Sequence, residues 1–226
     1  VLNAGFHVEL AGGGQYNEKM LIERVEQITK SVAPGDSFVV NLLYLNQRMW
    51  NFQFPLLLRL RSQGYPISGI TIGAGVPSAE RAAEIVQQMQ DVGMRSLGLK
   101  PSSVSSIMEV KAIADANPGF SIVLQWTGGR AGGHHSYEDL HEPILRTYGA
   151  LRSSPNLVLV IGSGFGDADG SLPYLTGSWS LAHGYPRAPF DGILLGSRML
   201  VAEEALGSPA AKQAIIDAHG CDAEHW

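Results

Sequence analysis

The chain has 226 residues, 45% hydrophobic and only 16% charged, which is apolar material enough for one sizeable α/β core. With 21 acidic against 16 basic residues the net charge is −5 and no basic run follows the chain, so no nucleic acid partner is expected. The apolar runs at 38–44 and 157–161 are far short of the roughly 20 residues of a membrane span, so no membrane is expected, and the lone Cys221 excludes a disulfide framework or thiolate cluster and fits a reducing cytoplasm.

The opening Val1-Leu2-Asn3-Ala4-Gly5 reads as a last helical turn closed by a C-cap glycine. It carries neither an initiator methionine nor a charged-then-apolar leader, so a preceding segment is expected. Short apolar runs follow at residues 7–11, 38–44, 67–72, 96–99, 122–125, 157–161 and 192–195, each reading as a buried parallel strand. Between them, Leu21, Val25, Ile28 and Val32 share one helix face, as do Ala82, Ile85, Val86 and Met89. Ser78 and Ser208-Pro209 open helices, Gly64, Gly93 and Gly220 follow helix ends, and Asn117-Pro118 stops another.

Strand and helix units spaced roughly 26 to 36 residues apart predict an α/β fold, a TIM (β/α)8 barrel lacking its first βα unit. A doubly wound open sheet gives the same alternation, since periodicity does not say whether a parallel sheet closes. No Pro- or Ser-rich tract divides the chain internally.

Glycine is the compositional anomaly, at 27 residues, about 12% against a usual value of about 7%. After the strand at 122–125 comes Gln125-Trp126-Thr127-Gly128-Gly129-Arg130-Ala131-Gly132-Gly133-His134-His135-Ser136. Glycines let backbone amides approach an anion, Arg130 adds charge, and a histidine exchanges a proton near neutral pH. The next two strands also end in glycine and serine, at Gly162-Ser163-Gly164-Phe165-Gly166 and Leu195-Gly196-Ser197-Arg198. Three such loops after three successive strands favour a phosphate-bearing ligand at the C-terminal face of a barrel. Asn41 and Lys100 lie at strand ends where they would meet a ligand or serve a structural hydrogen bond.

Other chemistries gain little. Glu138 with His141 or Glu142 has helical spacing, but no His-Glu-x-x-His motif is present and acids before Pro143 suit a helix's first turn. No metal is expected. Asp167-Ala168-Asp169-Gly170 lacks the rest of a calcium loop, and no Gly-x-Ser-x-Gly elbow exists, so the chemistry is expected from a cofactor.

The residues 128–136, 162–166 and 195–199 together resemble the enoyl reductase domain of type I fatty acid synthases, the fungal β chain and its single-chain actinobacterial counterparts. The likeness extends through Glu9-Leu10-Ala11-Gly12-Gly13-Gly14-Gln15-Tyr16 and Pro173-Tyr174-Leu175-Thr176-Gly177, nearly the whole chain. Ala131-Gly132-Gly133-His134 is more distantly similar to bacterial flavin-dependent enoyl reductases and nitronate monooxygenases. The resemblance implies FMN and NADPH as cofactors, an enoyl thioester as substrate, and acyl carrier protein and other synthase domains as partners. It implies His134, or less favourably His135, as the residue that donates a proton or polarises the thioester carbonyl. Gly129, Arg130, Gly132, Gly133, Gly162, Ser163, Gly164, Gly196 and Ser197 would hold the phosphate and ribityl end of FMN, with Asn41 and Lys100 near its ring. It divides the chain into a barrel over 1–220 and the start of a linker over 221–226. A free-standing nitronate monooxygenase and a catalytically silent scaffold barrel are the alternatives.

Overall fold

The computed structural model describes residues 1–129, 137–162 and 164–218. Seven strands run through it: β1 (Glu9–Ala11), β2 (Phe38–Leu42), β3 (Ile67–Ile72), β4 (Ser96–Leu99), β5 (Ser121–Trp126), β6 (Leu157–Gly162) and β7 (Gly192–Leu194). The intervening helices are α1 (Glu18–Thr29), α2 (Gln47–Ser62), α3 (Ala79–Asp91), α4 (Val104–Ala116), α5 (Glu142–Leu151) and α6 (Ala168–Thr176), with α7 (Ser197–Leu200) and α8 (Pro209–Asp217) after β7. Val32, expected on the face of α1, lies beyond that helix, whose C-cap is Lys30.

The strands pair in the order β1-β2-β3-β4-β5-β6-β7, every pair parallel. A doubly wound sheet reverses its order at a switch point; this one never does. Right-handed crossovers that always advance in one direction put every connecting helix on the same face, and the other face must curl onto itself to be covered. The curl is large. Four strand spacings of about 4.8 Å would put β1 roughly 19 Å from β5 in a flat sheet, yet Gln125 Nε2 on β5 donates to Glu9 Oε2 on β1 at 2.7 Å. Among the described residues no ladder joins β7 to β1, so the structure is a curled seven-stranded parallel sheet.

The alternation along each strand assigns the two faces. Phe38, Val40 and Leu42 of β2 and Ile122, Leu124 and Trp126 of β5 are buried against the helix layer, meeting Leu21 and Val25 of α1, Trp50, Phe54 and Leu57 of α2 and their counterparts in one continuous core. The concave face carries the alternate residues, among them Glu9, Asn41, Thr71, Gly98 and Gln125.

Local signals explain the helix ends. Asn17, Asn46, Ser78, Asp167 and Ser208 each accept a backbone N–H from their helix's first turn, and Ser103 with Ser106 forms a capping box. Gly64 and Gly93 follow α2 and α3 with φ of 95° and 76°, as their sequence positions predict. The opening turn Leu2–Ala4 is a 3-10 turn closed by Gly5 at φ 85°. Beside it, Leu2, Val8, Ile28 and Val32 line an open groove next to β1.

Candidate functional site

The C-terminal ends of the strands converge on a polar interior. Glu9 enters it from β1, and its two carboxylate oxygens accept hydrogen bonds from three other strands: Oε1 from Asn41 Nδ2 at 2.6 Å, and Oε2 from Thr71 Oγ1 at 2.8 Å and Gln125 Nε2 at 2.7 Å. Glycines make the room. A methyl group at Gly98 would overlap the Thr71 hydroxyl, and one at Gly73 would overlap Asn41 Oδ1. Thr71 and Gln125 are buried, and among the described residues Gln125 Oε1 has no hydrogen-bond partner. Lys100 follows Leu99, which pairs with Leu124, so its backbone is level with Gln125 just past the end of β4. Of these, sequence position singled out Asn41 and Lys100.

The loop after β1 packs against the same end. Gly12 lies so close to β2 that a side chain there would overlap the Asn41 carbonyl, and the buried Gln53 of α2 donates to the carbonyls of Gly12 and Gln15, each at 2.9 Å.

The two ends of the segment between β5 and α5 are tied together. Gly129 N–H donates to the Glu138 carbonyl at 2.8 Å, and Trp126 Nε1 to the Leu140 carbonyl at 2.7 Å. The Gly129 amide is therefore committed within the protein. Arg130, Gly132, Gly133, His134 and His135 lie outside the described residues, as does Ser163.

The other glycine loops divide into packed and open positions. A side chain at Gly162 would press on Thr127 and Leu194 at 3.2 Å, so this glycine serves strand packing. At Gly164, with φ 76°, and at Gly196 nothing among the described residues stands within 4 Å of such a position, which leaves their backbones approachable. Arg198, just past Ser197, crosses from the β7 loop to the β6 loop, lying over Gly166 with its Nη2 3.8 Å from Asp167 Oδ2.

A second cluster flanks the mouth. His141 Nε2 and the Tyr174 hydroxyl are 2.8 Å apart, and His141 also stacks on Trp179 and lies 4.8 Å, ring to ring, from His183. Burial lowers the His141 pKa below its ordinary value; the nearby His183 acts in the same direction and Asp139 against it. Burial works to raise the Asp139 carboxyl, but the N–H groups of Glu142 and His141, at 2.8 and 2.7 Å, outweigh it and the net direction is down. Burial raises the Tyr174 phenol, and the Asp139 charge adds to that. Asp139 caps α5, Glu142 pairs with Arg146, and among the described residues no group of three His, Cys, Asp or Glu side chains is arranged to hold a metal. Among the same residues no helix is long and apolar enough to cross a membrane.

Comparisons with known proteins agree on one family. A family model described as "Fatty acid synthase subunit beta/Fas1-like, helical" matches residues 121–226. Over all of its 226 residues the chain is 52% identical to the fatty acid synthase beta subunit pigK of Monascus ruber and 52% identical to the fatty acid synthase subunit beta of Schizosaccharomyces pombe. It is 47% identical, over 99% of its length, to the subunit beta of Saccharomyces cerevisiae. In each case it spans 11% of the relative. Among solved structures, N-acetylneuraminic acid synthetase from Leptospira borgpetersenii aligns with 93% of this chain and 89% of its own, at 11% identity and a TM-score of 0.46.

Proposed function

Since the chain belongs to the fungal fatty acid synthase β-subunit family, we propose that it forms the FMN-binding barrel of the enoyl reductase, which uses NADPH to saturate a trans-2-enoyl thioester carried on acyl carrier protein. The reading rests on the interior of the curled sheet. The interior of an α/β barrel is filled mostly by bulky branched side chains. Here Glu9, Asn41, Thr71 and Gln125 meet there among glycines, and among the described residues the buried carbonyl of Gln125 is left without a donor. Asn41, Thr71 and Gln125 are each the next-to-last residue of their strand, toward the C-terminal ends where α/β barrels keep their chemistry, and Glu9 reaches them from the start of β1.

The residues fit a flavin nucleotide in two respects. Gln125 Oε1, unpaired among the described residues, calls for a hydrogen-bond donor, which the flavin ring carries, and Lys100, one residue past Leu99 of the neighbouring strand, is the candidate for a ring carbonyl. The open backbones at Gly164 and Gly196 suit close approach of a phosphate, with Arg198 between the two loops supplying positive charge. Arg130, Gly132, Gly133, Ser163 and Ser197 complete the phosphate end in this proposal. FMN, when bound, supplies the hydride relay between NADPH and the β carbon of the enoyl group. His134 gives a proton to the α carbon or polarises the thioester carbonyl, with His135 as the less favoured candidate. One preceding βα unit would fill the edge between β7 and β1 and close an eight-stranded barrel. Other synthase domains are the expected neighbours, in the cytoplasm.

The test is turnover by the intact synthase polypeptide with NADPH and a trans-2-enoyl thioester, wild type beside His134→Ala and His135→Ala. Loss of a general acid costs about 10²- to 10⁴-fold in rate. The proposal expects that loss in His134→Ala and a smaller one in His135→Ala. Turnover of a nitroalkane with oxygen in place of the enoyl thioester would replace it with the monooxygenase reading.

A further inference from the structure

Glu9 is the one charged residue within the seven strands, and its carboxylate can only accept hydrogen bonds. Each carboxamide that bonds it is therefore forced to turn its NH2 group inward. Asn41 does so through Nδ2 and Gln125 through Nε2. Both carbonyl oxygens are consequently turned away from Glu9. Gln125, only 7% exposed, leaves its Oε1 buried with no partner among the described residues, an arrangement that costs stability unless a ligand supplies a donor. Asn41 Oδ1 lies over Gly73, and among the described residues no donor reaches it. Thr71 completes the arrangement by donating to Oε2, which fixes the carboxylate in turn.

We propose that Glu9 is a positioning residue: by holding the Asn41 and Gln125 amides in one sense, it makes Gln125 Oε1, with Asn41 Oδ1 beside it, the acceptor for a ring N–H of the bound cofactor. A cyclic imide is the matching chemistry, an N–H flanked by carbonyls, with Lys100, one residue past Leu99 of the neighbouring strand, as the candidate cation for one of those carbonyls. In a flavin this is the pyrimidine edge with its N3–H. The inference rests on the flavin reading and adds to it the residue that sets which way the amides face.

The test compares two probes on the intact synthase polypeptide freed of bound flavin: FMN and its N3-methyl analogue, titrated by fluorescence quenching. Wild type binds FMN about tenfold to a hundredfold more tightly than the methylated flavin, the ratio that one buried unpaired carbonyl produces. Glu9→Met removes both acceptor oxygens, so neither carboxamide is held with its NH2 inward. The ratio then falls below about threefold, a change that general loosening of the fold would not select for. Gln125→Met, which keeps the length and removes the acceptor, reads the same ratio should Glu9→Met fail to fold. Equal binding of the two flavins by wild type overturns the inference while leaving the flavin reading intact. A ratio retained in the folded Glu9 variant also overturns it, as does one retained in Gln125→Met. Binding of neither flavin by wild type removes the flavin reading, and the inference with it.

Discussion

Thr71→Val isolates one bond of the interior network. Valine matches threonine in shape, so the substitution removes the hydroxyl that donates to Glu9 Oε2 at 2.8 Å and little else. Thr71 is 1% exposed, so water cannot replace the donor. A hydrogen bond to a charged group is worth about 1.5–3 kcal/mol, and Glu9 keeps two other donors, which puts the expected loss near the low end, about 1.5 kcal/mol. For a domain of this size each kcal/mol moves Tm by about 2–4 °C, so thermal unfolding should shift down by about 3–6 °C. Thr71→Ser, which keeps the donor, should recover most of that loss. The cycle with Glu9→Ala is the decisive control: once the acceptor is gone, removing the hydroxyl should cost less than about 0.5 kcal/mol. An undiminished cost in the Glu9→Ala background would show that Thr71 contributes by packing and that the bond across the sheet carries no weight.

Two further predictions concern the flank of the site. Gly177 and Gly184 both have left-handed backbones, with φ of 73° and 77°, but a methyl group at Gly177 would stand 2.5 Å from Pro189 N whereas nothing lies within 4 Å at Gly184. Denaturant unfolding should therefore give about 1 kcal/mol of loss for Gly184→Ala, from backbone strain alone, and at least twice that for Gly177→Ala; equal losses would remove the packing argument. His141 has a folded pKa below its ordinary 6.5, so its contribution to stability is fully present above that value and is lost as pH falls toward and through the folded value. An NMR titration should place its midpoint below 6.5, and His183→Ala should raise it by removing a like charge; a midpoint at or above 6.5 in the native protein would contradict the burial argument.

Much of the fold is legible because its signals are local. The strand at 157–161 is an unbroken apolar run, those at 67–72 and 96–99 are apolar runs interrupted only by Ser, Thr and Gly, and the caps at Ser78 and Ser208 act on their own helices. The curl is not local, and it decides the site. Glu9 is a lone acid at the start of a three-residue strand, a pattern equally suited to a solvent-facing position. Its partners Asn41, Thr71 and Gln125 lie 32, 62 and 116 residues away, and no spacing in the sequence links them. Gly98 looks like a weak point in its strand until the Thr71 side chain is seen to occupy its missing Cβ position. The glycine loops were legible as a group, but only packing separates Gly164 and Gly196, which are open, from Gly162, which is filled from both sides. The cluster of His141, Tyr174, Trp179 and His183 likewise joins two chain segments that carry no shared motif.

The most direct test of flavin-dependent enoyl reduction is the visible spectrum of the intact synthase polypeptide with FMN, taken without oxygen. The account predicts a yellow protein that NADPH bleaches and a trans-2-enoyl thioester recolours, in proportion to the saturated product formed. A protein that stays colourless with FMN, or whose bleached flavin is reoxidised by oxygen and a nitroalkane but never by the enoyl thioester, would contradict it.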